Sequence, residues 1–121
     1  MMSRAGRTKM TGDMAIEISQ GPSESRISVT GRLVIESSPG LRALLMKAIR
    51  RGTSAVLVID LSALSYLDTS GVATLLEAAR VASARGVRLR VIGLNGEPRM
   101  LAQIVELDVI VRAYGSDVEL A

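Results

Sequence analysis

Apolar residues recur along this chain in distinct rhythms, and the rhythms divide it into elements. Met14-Ala15-Ile16-Glu17-Ile18 and Arg26-Ile27-Ser28-Val29-Thr30 alternate polar and apolar side chains, which predicts two strands covered on one face. The turn formers from Ser19 to Ser25 join them as a hairpin, and Gly31 ends the second strand. Leu41, Leu44, Leu45, Ala48 and Ile49 then repeat at helical spacing. Ser38-Pro39 ahead of them offers a capping hydroxyl and a proline in the first turn, and Gly52 stops the helix. Lys47, Arg50 and Arg51 gather near its end, where cations suit the helix dipole; the basic cluster needs no phosphate to explain it.

The run Ala55-Val56-Leu57-Val58-Ile59 shows no alternation, as expected of a strand covered on both sides. Asp60 to Leu67 reads as a loop, and Asp68-Thr69-Ser70-Gly71 opens the longest helix. Val72, Leu75, Leu76, Ala79 and Ala82 form its buried stripe, while Thr74, Ala78 and Val81 form a second stripe for a neighbouring helix or a partner. Gly86 closes it. Val87 to Ile92 alternates as a strand with one solvated face, and Gly93-Leu94-Asn95-Gly96 is a turn. Glu97-Pro98 starts a shorter helix with Leu101, Ile104 and Val105 facing inward. Val109-Ile110-Val111 reads as a last strand, and Ser116 with Glu119 has capping-box spacing for a final helical turn. This order predicts one α/β domain over residues 14–121: a mostly parallel sheet of four to five strands with an N-terminal hairpin strand, right-handed crossovers and three to four helices. Residues 1–13 are expected to be a basic, disordered tail.

Composition narrows the function. The 121 residues suffice for one core, and no apolar run approaches the ~20 residues of a membrane helix, so no membrane insertion is expected. The N-terminus has no apolar stretch of the signal-peptide kind, and the absence of cysteine suits a cytoplasmic location. Arg4, Arg7 and Lys9 account for the formal charge of +3, the rest of the chain being balanced. There is no histidine, which removes His-based triads, the commonest general base and most zinc sites. Two tyrosines, Tyr66 and Tyr114, are the only aromatics, too few for base-stacking platforms, so no direct nucleic-acid binding is expected.

Open parallel sheets carry their working loops at the carboxyl ends of strands. Three such ends occur here: Gly31 to Glu36, Asp60 to Gly71 and Gly93 to Pro98. In the second, Asp68 or Thr69 is a natural N-cap. Ser70 has neither a histidine nor a nearby lysine to activate it, Lys9 and Lys47 being the only lysines. No Walker motif or Gly-x-Gly-x-x-Gly spacing supports nucleotide hydrolysis. Asp60 and Asp68 are two carboxylates near one strand end, a set that could hold magnesium, but capping roles account for both, and neither a metal nor another cofactor is expected. A different chemistry fits the turn better: Ser70 as acceptor of a phosphoryl group, whose ~1.5 to 2 negative charges would dislodge a partner docked there.

The chain resembles the STAS domain family, named for sulfate transporters and anti-sigma factor antagonists. The resemblance rests on Val58-Ile59-Asp60-Leu61-Ser62, on Tyr66-Leu67-Asp68-Thr69-Ser70-Gly71-Val72, and on Gly86 before Leu89-Arg90-Val91-Ile92-Gly93. Gly31-Arg32-Leu33, Leu107-Asp108 and Tyr114 also fall at the family's places, so it spans about Ile16 to Val118. It implies a non-enzymatic anti-sigma factor antagonist that binds an anti-sigma factor serine kinase and is released by phosphorylation at Ser70, or less favourably at Thr69, with a phosphatase to reset it. Asp68, Thr69, Ser70, Gly71, Val72 and Asn95 are the implied partner-contact set. Two positions depart from the family pattern: Val34 stands where a Gly-x-Leu-Asp acid is frequent, and Glu106 stands where a glycine commonly precedes Leu-Asp. The same resemblance admits an alternative, a small STAS subunit that binds the ATPase of a lipid-trafficking ABC transporter.

Overall fold

The protein, described by a computed structural model over residues 7–52 and 54–120, folds around a six-stranded sheet in the order β1-β2-β3-β4-β5-β6. β1 (Arg7–Thr11), β2 (Met14–Gln20) and β3 (Glu24–Leu33) are antiparallel neighbours. β4 (Val56–Leu67), β5 (Arg88–Ile92) and β6 (Asp117–Val118) continue from β3 in parallel. Between them run α1 (Ser38–Arg51), α2 (Thr69–Ala84), α3 (Gly96–Ile104) and α4 (Leu107–Arg112). The expected α/β class, hairpin and parallel crossovers are present, with six strands instead of four or five.

The extra strand lies in the expected tail. Arg7–Thr11 pairs with β2 from Arg7↔Ile18 to Thr11↔Met14; the first six residues lie outside the described ones. A left-handed Gly12 (φ 60°) makes the tight return from β1 to β2, so the backbone groups of a short, mostly polar stretch find partners in a neighbouring strand.

One face of the sheet is covered and the other is wet. Ile27 and Val29 of β3, Leu57, Ile59 and Leu61 of β4, and Leu89 and Val91 of β5 pack into a single core with Leu41, Leu45 and Ile49 of α1 and Leu75, Ala78, Ala79 and Ala82 of α2. Burying such a stripe contributes about 1.5–3 kcal/mol per large side chain. The unbroken apolar run of β4 has a different cause from the one expected. Val58 points to the wet face, yet it lies in register between Arg26 of β3 and Arg90 of β5, and the aliphatic stems of long cationic side chains cover apolar neighbours.

Four further expectations are corrected. Asp60 to Leu67 is strand, not loop: β4 continues beside β3 to Leu33↔Leu67, with register shifts between Ser28 and Thr30 and between Gly31 and Arg32. Val109–Val111 belongs to α4, where Leu107 and Val111 are buried at i, i+4 and Val109 is exposed. Ser116 caps no helix. Its hydroxyl accepts the buried Leu89 N–H at 2.9 Å and leads into β6. In α3 the buried residues are Pro98 and Ala102, Leu101 and Val105 are half-buried, and Ile104 is 75% exposed.

Candidate functional site

Beyond Asp60, the last residue of β4 to pair with β5, β4 runs on with β3 alone. This projection delivers Asp68 to the head of α2. Asp68 is extended (φ −112°, ψ −176°) and caps the helix: its Oδ1 accepts Ser70 N at 2.9 Å, Gly71 N at 3.2 Å and Ser70 Oγ at 2.5 Å. Its Oδ2 accepts Ile35 N at 3.1 Å, and its own N–H donates to Leu33 O at 3.2 Å. One carboxylate thus ties the start of α2 to the loop between β3 and α1. Partial burial opposes the charge on Asp68, but the hydrogen bonds from the Ser70 hydroxyl and from the Gly71, Ile35 and Ser70 amides outweigh it and hold its carboxyl below the usual range.

Gly71 permits this closeness. A Cβ there would lie 2.5 Å from Leu67 Cδ1, 2.8 Å from Leu33 Cγ and 3.1 Å from Leu33 O. Gly71 and Val72 are buried beneath the turn, Thr69 is exposed, and Ser70 is half-buried. Beside Ser70 stands Ser38, the first residue of α1, with 2.9 Å between the two hydroxyl oxygens. Ser38 is thus one residue inside the helix instead of capping it. The N-cap is Ser37, whose hydroxyl turns back to Arg32 O and the Val34 N–H. The contact between α1 and α2 continues at Arg42 and Glu77, which form two bonds of 2.7 Å. Ser70, Thr74, Glu77 and Val81 fall on one side of α2 by helical spacing, so the second stripe expected on this helix faces α1.

On the other side of the turn, a cleft of about 410 Å³ opens between the end of β4, the head of α2, and α3. Tyr66, Leu67, Asp68, Thr69, Met100 and Ile104 contribute to its walls, with Glu97 at the head of α3. Met100 is 59% exposed and Ile104 75%, and across the turn Ile35 is 68% exposed. The turn with its hydroxyls is therefore flanked by unpaired apolar side chains. Sequence periodicity assigned Ile104 to the core and gave Met100 no role, because the apolar stripe of α3 is wider than the face the core accepts. Ile35 gave no signal because it continues the apolar run of Leu33 and Val34, both buried, and nothing local sets it apart from them.

The remaining candidates separate in space. Asp60 sits mid-strand on the wet face, where its oxygens accept Ser62 N and Arg26 NH1, each at 3.0 Å. Desolvation opposes its charge, and the bonds from Ser62 together with the Arg26 cation prevail and lower its pKa. Eight positions of extended chain, roughly 20 Å or more, separate it from Asp68. The two cannot share one ion, and among the described residues no group of three metal-binding side chains converges. Asn95 caps α3 by position and is exposed, its amide donating to Ser62 O at 3.1 Å and Gly93 O at 2.9 Å. It is outside the cleft lining. Among the described residues no helix is long and apolar enough to cross a membrane.

Comparison with known proteins identifies the family and the fold. A family model described as Mlab, STAS domain matches residues 16–112. The fold is similar to that of the anti-sigma factor antagonist SpoIIAA in its unphosphorylated form, at 20% identity and a TM-score of 0.67 over 95% of this chain and 88% of that one. It is also similar to an anti-sigma factor antagonist from Mycobacterium paratuberculosis, at 20% identity and a TM-score of 0.68 over 86% of this chain and 85% of that one. A third similar structure is the Bacillus cell fate determinant SpoIIAA in its phosphorylated form, at 20% identity and a TM-score of 0.61 over 95% and 91% of the two chains. No curated protein matches the sequence.

Proposed function

The chain belongs to the STAS domain family, and from that premise we propose that it is an anti-sigma factor antagonist: a cytoplasmic, non-enzymatic partner-switching regulator. Its unmodified form binds an anti-sigma factor that is also a serine kinase. Phosphorylation at Ser70 releases it, and a phosphatase resets it. The observation that carries this reading is the Ser70 hydroxyl, half-buried at the head of α2 with its proton directed to Asp68. No histidine or lysine side chain is in place to make Ser70 a nucleophile in this protein's own catalysis, whereas its position beside exposed Thr69 and the apolar cleft suits an acceptor at the rim of a docking surface. A phosphoryl group there would add about 1.5 to 2 negative charges next to Asp68. Helix dipoles tolerate such charge, but a partner seated over the turn would meet both bulk and repulsion.

The test is incubation with the partner kinase and ATP, with phosphate located by mass spectrometry. Incorporation at Ser70 supports the reading, and a protein that takes no phosphate at Ser70 or Thr69 overturns it. Ser70→Asp should weaken the partner complex at least tenfold, while Ser70→Ala binds like wild type and no longer releases.

A second reading has its own support. Val34, buried just past the end of β3, stands where members of the family often carry the acid of Gly-x-Leu-Asp near the partner surface, and the matching family model is described as Mlab, STAS domain. These favour a small STAS subunit bound to the ATPase of a lipid-trafficking ABC transporter. Co-purification with such an ATPase and its permease, with no phosphate on Ser70, would decide for it.

A further inference from the structure

Ser38 and Ser70 stand in a line of four oxygens: Val34 O, Ser38 Oγ, Ser70 Oγ and Asp68 Oδ1, spaced 2.8, 2.9 and 2.5 Å. The two ends can only accept, and each hydroxyl carries one proton. Three contacts therefore share two hydrogens. The Val34 carbonyl already accepts the Ser37 amide at 2.9 Å and the Ser38 amide at 2.7 Å, and the Ser37 hydroxyl lies 3.2 Å from it as well, so a further proton from Ser38 gains little at this crowded acceptor. Asp68 is charged, and a hydroxyl bound to a carboxylate makes a stronger bond than one bound to a neutral oxygen. The protons accordingly run in one direction, from Ser38 to Ser70 and from Ser70 to Asp68.

Resting on the reading of Ser70 as a phosphoryl acceptor, we propose that Ser38 is a positioning residue for that modification: its hydroxyl donates to Ser70 Oγ and fixes the direction of the one lone pair left free. With its proton on Asp68 and one lone pair on Ser38, the Ser70 oxygen has a single tetrahedral direction open. In the transfer, that lone pair forms the bond to the γ-phosphorus of ATP held by the kinase. The bond from phosphorus to the ADP oxygen breaks, its electron pair leaves with ADP, and the Ser70 proton passes to Asp68 Oδ1 and on to solvent. Phosphoryl transfer depends chiefly on such positioning. Ser38 is only 5% exposed, so water has little room to replace its hydroxyl, and its place at the start of α1 makes that helix part of the alignment.

Two measurements test this and separate it from the reading it rests on. The first uses the protein alone: a carbon-13 NMR titration of the Asp68 carboxyl in wild type, Ser38→Ala and Ser37→Ala. The Ser37 hydroxyl bonds to Arg32 O, Val34 N and Val34 O and has no bond to Ser70. Ser38→Ala should raise the Asp68 midpoint by about 0.2–0.5 pH units, because Ser70 donates less strongly once its own oxygen is no longer polarised. Ser37→Ala should leave it in place. The second follows phosphate incorporation at Ser70 with the partner kinase and ATP, where Ser38→Ala should lower kcat roughly 3–10-fold with KM for the protein unchanged. An Asp68 midpoint unmoved by Ser38→Ala, or moved equally by Ser37→Ala, overturns the proposed hydrogen bond. Normal phosphorylation of Ser38→Ala overturns the positioning role alone, whereas a wild-type protein that takes no phosphate overturns the switch and the positioning role together.

Discussion

Gly71 lies directly against Leu33: a Cβ on the glycine would sit 2.8 Å from Leu33 Cγ and 3.1 Å from its carbonyl oxygen. Leu33 is fully buried at the end of β3, and the same carbonyl accepts the Asp68 N–H. The head of α2 is thus wedged onto the end of its neighbouring strand, and only a residue without a side chain fits between them. Gly71→Ala should destabilise the fold by about 1–3 kcal/mol, the usual range for overpacking a tight site. Urea unfolding would read this as a lower midpoint at unchanged slope. The amide exchange of Ser70 and Asp68 should rise more than that of β5, since the strain is local to the turn.

Glu106 offers the opposite opportunity. It is the only non-glycine with positive φ among the described residues (φ 55°, ψ 46°), at the joint between α3 and α4. A left-handed conformation costs an L-residue about 1–2 kcal/mol, and glycine escapes this while losing more freedom on folding, about 0.5–1 kcal/mol. Glu106 is exposed and makes no side-chain capping bond. Glu106→Gly should therefore stabilise the protein by roughly 0.5–1 kcal/mol, a rise of a few degrees in Tm by calorimetry.

The cap on α2 makes stability depend on pH in a definite direction. The folded protein holds the Asp68 pKa below its ordinary value, so the carboxylate's contribution is complete above the unfolded value of about 3.9 and is lost as pH falls through the lower folded value. Asparagine can still accept one amide but carries no charge. Asp68→Asn should cost about 1 kcal/mol at pH 7. That deficit should shrink as pH drops below about 4, when wild type loses the same charge. Urea titrations of both proteins at several pH values measure the difference directly.

These residues also show what the chain disclosed before its fold was known. Asp68-Thr69-Ser70-Gly71 was legible as a helix head because a cap, a hydroxyl pair and a glycine act within four residues. Where structure depends on distant partners, local rhythm misleads. The second half of β4 buries Leu61, Leu64 and Leu67, a spacing of three that belongs to no ordinary strand and arises from its register shifts against β3. Val109 and Val111 look like a strand by composition, but Leu107 and Val111 share a helical face that packs under α2 and α3. Ser38 reads as a cap, since nothing local reveals that α1 and α2 start side by side. Arg7–Thr11 is polar but for Met10, and only β2 beside it makes it a strand.

The apolar residues around the turn give a final, sharper test of the docking surface. Ile35 and Ile104 lie on opposite sides of the Asp68–Ser70 turn and are 68% and 75% exposed. Substitution of so exposed a side chain ordinarily changes stability by no more than about 0.5 kcal/mol, so Ile35→Ser and Ile104→Ser should melt like wild type. A partner that covers the turn would bury both, and losing a well-buried aliphatic anchor costs on the order of 1–2 kcal/mol of binding, roughly 5–30-fold in Kd. Calorimetric titration with the partner should show each loss separately, and together they should add, because the two residues are held on different elements. Loss at Ile104 alone would place the partner in the cleft beside α3, away from the loop that Asp68 pins. Loss at Ile35 alone would place it over the heads of α1 and α2, where the Ser70 oxygen is presented.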